Sequence, residues 1–172
     1  SGISTDTGSF LYPSAQATTF HTAARLLENG ADKNLIQAHF WENTSKKKVR
    51  ILEHLFGNIT YLLDDSAAYS VFSLETQQAL DVSTLDLEGI VAMIKVIEGV
   101  EVAVLFTEMP DGSCKISLRS RDWFDCNRCA NVFGGGGHVR ASGATLTRPL
   151  AEAVEAVLAE ITQEWEEAHH AE

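Results

Sequence analysis

Hydrophobic positions recur at helical spacing over the first third of the chain and change period near Ile59. Phe20, Ala23, Ala24 and Leu27 form a stripe with steps of three and four residues, which predicts a helix over residues 18–29, stopped by Asn29-Gly30. A second helix is predicted from Asp32, a good N-cap residue, carrying Leu35, Ile36, His39 and Phe40. A third is predicted over residues 45–56 with Val49, Leu52, Leu55 and Phe56 on one side. Its Lys46-Lys47-Lys48 and Arg50 cluster is most simply a solvated face. Residues 59–63 and 68–73 read as a strand pair around Asp64-Asp65-Ser66. Residues 85–97 read as a helix with Ile90, Val91, Ile94 and Ile97 apolar, ended by Gly99. A buried strand over 100–107, a hairpin turn through Pro110-Asp111-Gly112 and a returning strand over 114–121 follow. Asp125 can cap a short helix running to Phe133. Beyond a run of four glycines come a short strand, 144–146, and a last helix from Pro149 that buries Leu150, Val154, Val157, Leu158, Ile161 and Trp165. The fold class is therefore α/β, a mixed β-sheet flanked by helices and preceded by a helical connector.

Composition narrows the function classes. The 172 residues allow one or two domains with a real core. A net charge of −11 argues against a broad surface for duplex DNA, so an anionic ligand has to be held locally. Three cysteines do not make a secreted disulfide framework and point to a reducing cytoplasm. No apolar run approaches the about 20 residues of a membrane span, and the opening residues carry no basic signal-peptide region. That opening, Ser1 to Gly8 without a Met, reads as the end of a strand running into a turn in a fragment.

The candidate chemistry lies in three blocks. Gly134-Gly135-Gly136-Gly137-His138 costs more backbone entropy than a turn needs. Such a run lets a ligand approach the main chain, with several N–H groups turned toward an anion and His138 placed to donate to a phosphate. No Gly-Lys-Ser/Thr follows it, which excludes a Walker loop, and the spacing is wrong for a dinucleotide fingerprint. On the strand before it, alternation puts Lys115, Ser117, Arg119 and Arg121 on one face, a short basic ladder suited to phosphate oxygens. The bland alternatives are a glycine connector and a solvent-facing strand surface. In the third block, Asp6-Thr7-Gly8-Ser9, the carboxylate could serve a hard divalent cation or merely its own turn. One copy in so helical a chain does not make an aspartic protease. Cys126-x-x-Cys129 is half a zinc site with no second pair, and reads as core packing. His169-His170 reads as a disordered tail, and Trp123 could border Arg121 as a stacking surface.

Two of these blocks resemble one family. Gly2-Ile3-Ser4-Thr5-Asp6-Thr7-Gly8-Ser9-Phe10 resembles the last metal motif of DHH phosphoesterases. Ser117-Leu118-Arg119-Ser120, with Phe133-Gly134-Gly135-Gly136-Gly137-His138-Val139-Arg140-Ala141-Ser142-Gly143, resembles the DHH-associated C-terminal domain, nearest to the bifunctional nanoRNase/pAp phosphatases. The resemblance implies a two-lobed, metal-dependent hydrolase. Its N-terminal lobe holds divalent manganese or magnesium, and its C-terminal lobe grips the nucleotide. It implies Asp6 as one metal ligand, and Ser117, Arg119, Gly135, Gly136, Gly137 and His138 as substrate-binding residues. It divides the chain into 1–14, the tail of a truncated DHH lobe, 15–57, a helical connector, and 58–172, the substrate-binding domain.

The departure is that no Asp-His-His occurs anywhere in the chain. The chain alone is therefore expected to bind no metal pair and to hydrolyse nothing. The expected partners are short oligonucleotides or nucleoside bisphosphates and an upstream DHH lobe, with no membrane and no extended duplex DNA. The oligomeric state stays open, a homodimer among the options. The rival readings are a non-catalytic nucleotide-binding module and an alanyl-tRNA synthetase C-terminal domain, which would lack the Asp-Thr-Gly block. A RecJ-like exonuclease would need an extended basic track that this chain does not show.

Overall fold

A computed structural model describes residues 2–7, 9–10, 15–41 and 44–169 of the chain. Ser1 and Gly8 of the opening block and His170 of the tail lie outside the described residues, as do the side chains of His39 and Phe40. The chain divides into two compact units, Ser1–Ser45 and Lys46–Glu172.

The first unit holds three helices, α1 (Gly2–Asp6), α2 (Ala17–Glu28) and α3 (Lys33–Trp41). The opening block is helical where a strand end was expected. Thr7 explains why: its backbone N–H and its hydroxyl both return to the Ile3 carbonyl, at 3.2 and 2.6 Å, closing a helical turn. Asp32 caps α3 as expected, its Oδ1 accepting the Leu35 N–H at 3.0 Å. The apolar stripe of α2 is present but none of its residues is fully buried, and the ring of Phe20 stacks on that of Phe10 at 5.0 Å.

The second unit is built on a six-stranded sheet. Its elements are α4 (Lys46–Gly57), β1 (Thr60–Leu62), β2 (Ala67–Phe72), α5 (Leu74–Leu80), a 3-10 turn (Thr84–Leu87), α6 (Val91–Lys95), β3 (Val102–Glu108), β4 (Cys114–Ser120), α7 (Cys126–Val132), β5 (Gly136–His138), β6 (Ala141–Leu146) and α8 (Leu150–His169). The strand order is β1-β2-β3-β4-β6-β5, with β2 and β3 parallel and every other pair antiparallel. Helix α4, assigned above to a connector ending at residue 57, belongs to this unit, because Ile51 and Leu55 are fully buried in its core. Its buried line is Ile51–Leu55; Val49 and Phe56 of the expected stripe are half exposed, at 54% and 50%.

Two cores lie on opposite faces of the sheet. One joins Val102, Val104 and Phe106 of β3, Cys114, Ile116 and Leu118 of β4, and Ala144 and Leu146 of β6 to helices α7 and α8. The other joins Ala68 and Phe72 of β2 and Ala103 and Leu105 of β3 to α4 and α6. The alternate residues of β4 and β6 take no part in this second core. That face of the sheet is therefore filled over β2–β3 and open over β4–β6.

Several local expectations need correction. The helix expected over 85–97 is a 3-10 turn and a five-residue helix separated at Gly89, whose φ of +75° turns the chain. Helix α5 was hidden behind an apolar strand; Ser73 starts it, its Oγ accepting the Thr76 N–H at 3.1 Å. Arg121 leaves the basic ladder and donates to the carbonyls of Lys95 and Ile97, closing the end of α6. His169 is helical, with its ring stacked on Trp165 at 4.4 Å and edge-on to Trp123 at 5.3 Å. On α8 the buried line is Ala153, Val157, Ile161 and Glu164, so a carboxylate takes the place expected for Trp165.

Burial pushes the Glu164 carboxyl from 4.5 up to about 7; Arg128 opposes the shift, while Glu160, Asp125 and Glu167 add to it. Folding then favours the protonated acid, so stability from this group is full at low pH and is lost as pH rises. We expect unfolding free energy to fall between pH 4.5 and about 7 through this group, and Glu164→Gln to flatten that slope in urea titrations at each pH. Leu55→Ala, at a fully buried site, is expected to cost about 2–5 kcal/mol by the same measurement.

Candidate functional site

The open half of the sheet forms a groove of ≈ 640 Å³. Lys115, Ser117 and Arg119 of β4 line it, with Ala141, Gly143 and Thr145 of β6 and Gly134, Gly135 and Gly136. Register explains this grouping. Lys115 pairs with Thr145, Ser117 with Gly143 and Arg119 with Ala141, so residues of one sheet face stand in adjacent rows. His138 pairs with Ala141 in turn, which places Arg119, Ala141 and His138 in one row across three strands. Gly137 and His138 continue β5 beyond the groove-lining Gly136, and both are exposed. Arg119 is tethered by its own strand, Nη1 donating to the Leu118 carbonyl at 2.8 Å.

The glycine run is an ordered chain reversal and edge strand, and its N–H groups do not form the free anion cradle expected from the sequence. Gly134 N–H donates to the Asn131 carbonyl at 3.0 Å and Gly135 N–H to the Ala130 carbonyl at 2.9 Å, which together close α7. Gly137 N–H donates to Asn127 Oδ1 at 2.9 Å. The positive groups that line the groove are the side chains of Lys115 and Arg119. The glycines serve close packing instead. A Cβ on Gly135 would strike the Gly143 carbonyl oxygen and lie 2.5 Å from Ala144 Cβ. One on Gly137 would lie 2.6 Å from the Ala141 oxygen, at a φ of +151°. Gly136 differs: its nearest neighbours would be Asn127 Oδ1 at 3.7 Å and Asn131 Oδ1 at 3.8 Å, ordinary contacts. At Gly136 nothing in the fold demands a glycine, and this residue lines the groove.

Behind the groove, α7 is the fixed frame. Asp125 Oδ1 caps it, accepting the N–H groups of Asn127 and Arg128. The loop leading into α7 is held by Glu101, whose carboxylate accepts the N–H groups of Asp122, Trp123 and Phe124. Cys126 and Cys129 are fully buried. Burial pushes the Cys126 thiol up to about 11, and pushes Cys129 up further with help from Glu164 and Glu160. Both remain thiols at neutral pH, as core residues do. Asn127 and Ser142, whose Oγ donates to the His138 carbonyl at 2.7 Å, were not singled out from sequence. An Asn on a short helix carries no local signal of a partner ten residues away. Ser142 stands within the Ala141-Ser142-Gly143 block that carried the resemblance.

The family model for the DHHA1 domain matches residues 64–167, which span β2 through most of α8. The chain belongs to the DHHA1 domain family. A probable bifunctional oligoribonuclease and PAP phosphatase NrnA from Streptococcus mutans is 31% identical over 83% of this chain and 45% of its own length. The bifunctional oligoribonuclease and PAP phosphatase NrnA of Thermus thermophilus is 28% identical over 95% of this chain and 48% of its own length. The crystal structure of an exopolyphosphatase-related protein from Bacteroides fragilis superposes with a TM-score of 0.86 at 31% identity, covering 94% of this chain and 47% of that one. The chain thus spans about half the length of the relatives it matches.

The metal expectation rests on Asp6, which is exposed on α1. Among the described residues no three His, Cys, Asp or Glu side chains converge. The described residues do not fit a metal pair by themselves. Among the described residues no helix is long and apolar enough to cross a membrane.

In the DHHA1 unit we expect Gly135→Ala and Gly137→Ala each to lose about 1–3 kcal/mol through forced contacts. Gly136→Ala is expected to be neutral or to gain about 0.5–1 kcal/mol. Urea unfolding of the three variants checks this order.

Proposed function

We propose that this chain is the substrate-binding part of a metal-dependent phosphoesterase acting on short oligonucleotides, nucleoside bisphosphates such as pAp, or dinucleotides. The observation that carries the reading is the charge of the open groove. Lys115 and Arg119 line it beside the Ser117 hydroxyl in a chain of net charge −11, and the floor next to them is glycine. A guanidinium and an ammonium over a glycine floor suit a phosphate that approaches the main chain closely. The names of the NrnA relatives support the same substrate class.

In this reading Arg119 and Lys115 neutralise phosphate oxygens, Ser117 donates its hydroxyl, and His138 donates to the nucleotide from β5. Asp6 would be one ligand of divalent manganese or magnesium completed by residues of a DHH lobe, and the metal would there serve to activate a water. The role of this chain's groove is to hold and orient the substrate. Alone, the chain is proposed to bind nucleotide and to turn none over. Three buried cysteines kept as thiols accord with a cytoplasmic protein.

Calorimetric titration of AMP and pAp tests the assignment. Arg119→Ala and His138→Ala are each expected to weaken binding roughly tenfold to a hundredfold, the range for hydrogen bonds to charged groups. Gly136→Ala should fold normally and bind more weakly. Equal affinities in wild type and both side-chain variants would remove the assignment. Specific hydrolysis of pAp by the purified chain with manganese would overturn its proposed inactivity.

A further inference from the structure

Strand β5 is one of the two short edge strands of the sheet. It has three exposed residues and pairs on one side only, with β6. Glycines before and within it have much conformational freedom to lose. Its placement therefore depends on bonds from outside the ladder. Ser142 Oγ holds the His138 carbonyl at 2.7 Å, and Cys126 N–H holds the Val139 carbonyl at 2.8 Å. Asn127 Oδ1 accepts the Gly137 N–H at 2.9 Å, between groove-lining Gly136 and His138.

Asn127 can hold the strand because α7 is anchored in the core. The helix buries Cys126, Cys129 and Ala130, and Arg128 ties it to α8, with Nη2 at 2.7 Å from Glu167 and Nε at 3.9 Å from Glu164. We propose that Asn127 is a positioning residue of the groove, transmitting the rigidity of α7 through the Gly137 N–H to Gly136 and His138. The proposal rests on the reading of the groove as a nucleotide site. Asn suits the role better than Asp, because a neutral acceptor holds the N–H without placing a negative charge beside an incoming phosphate. The same Oδ1 lies 3.7 Å from where a Cβ on groove-lining Gly136 would stand, so a charge there would stand close to the groove.

The test pairs hydrogen exchange at the Gly137 amide of the free chain with calorimetric affinity for AMP. Wild type is expected to protect Gly137. Asn127→Ala should lose that protection and bind AMP roughly tenfold more weakly, with a melting temperature close to wild type. Asn127→Asp should restore the protection through the retained oxygen, yet bind AMP more weakly than wild type, most of all at low salt. An unprotected Gly137 in wild type, or wild-type AMP affinity in Asn127→Ala, would overturn the proposal. If Asn127→Ala does not fold, Asn127→Asp decides: protection with weakened AMP binding supports the role, and unchanged affinity overturns it. Failure of wild type itself to bind AMP, with Gly137 protected, would instead overturn the nucleotide reading on which the role rests.

Discussion

The alternation along β4 is the constraint from which the rest of the DHHA1 unit follows. Cys114, Ile116 and Leu118 are fully buried, while Lys115, Ser117 and Arg119 between them are only partly so. The apolar set must be covered, and α7 and α8 cover it continuously across β3, β4 and β6. The polar set cannot be covered by an apolar helix without stranding a guanidinium and an ammonium in a core. Helices α4 and α6 therefore fill that face only over β2 and β3, where Ala68, Phe72, Ala103 and Leu105 accept them. The groove is the part of the sheet that its own residues forbid the fold to bury.

The glycine run answers a second constraint, the closeness of β5 to β6. After α7 the chain reverses and returns along the sheet edge, with Gly135 against the backbone of Gly143 and Ala144. Larger residues would push the edge strand away and displace His138 from the row of Arg119. Three of the four N–H groups are spent on this reversal. The loop accordingly acts through its shape, and the positive charge of the groove comes from Lys115 and Arg119 on the central strand β4.

The frame behind the groove is rigid for ordinary reasons. A buried carboxylate, Glu101, gathers three loop N–H groups, Asp125 caps α7, and two cysteines pack as apolar residues. Glu164 is the one costly choice in that interface, a carboxyl buried deeply enough to be held near neutrality as an acid. Its neighbour Arg128 spans both Glu164 and Glu167, so the α7–α8 contact carries charge where the remaining contacts are apolar.

The sequence by itself determined strands β1 to β4, the last three residues of β6, the capped α7, the last helix and the residues Ser117, Arg119, Gly135 and Gly136 that meet in the groove, while β5 was hidden in the glycine run. Period-two alternation, a capping Asp and a glycine run are local signals, and local chemistry suffices to read them. What the sequence could not carry was every decision made by a partner distant in the chain. Helix α4 joined the sheet because Ile51 and Leu55 found Phe72 and Leu105, not because its own stripe said so. Glu164 was buried where α8 packs beside Arg128 of α7. Arg121 left the ladder because two carbonyls at the end of α6 lay within reach. The glycine N–H groups turned inward because α7 offered acceptors first. In each case the energy lies in a contact across many residues, and only the tertiary structure brings its two halves together.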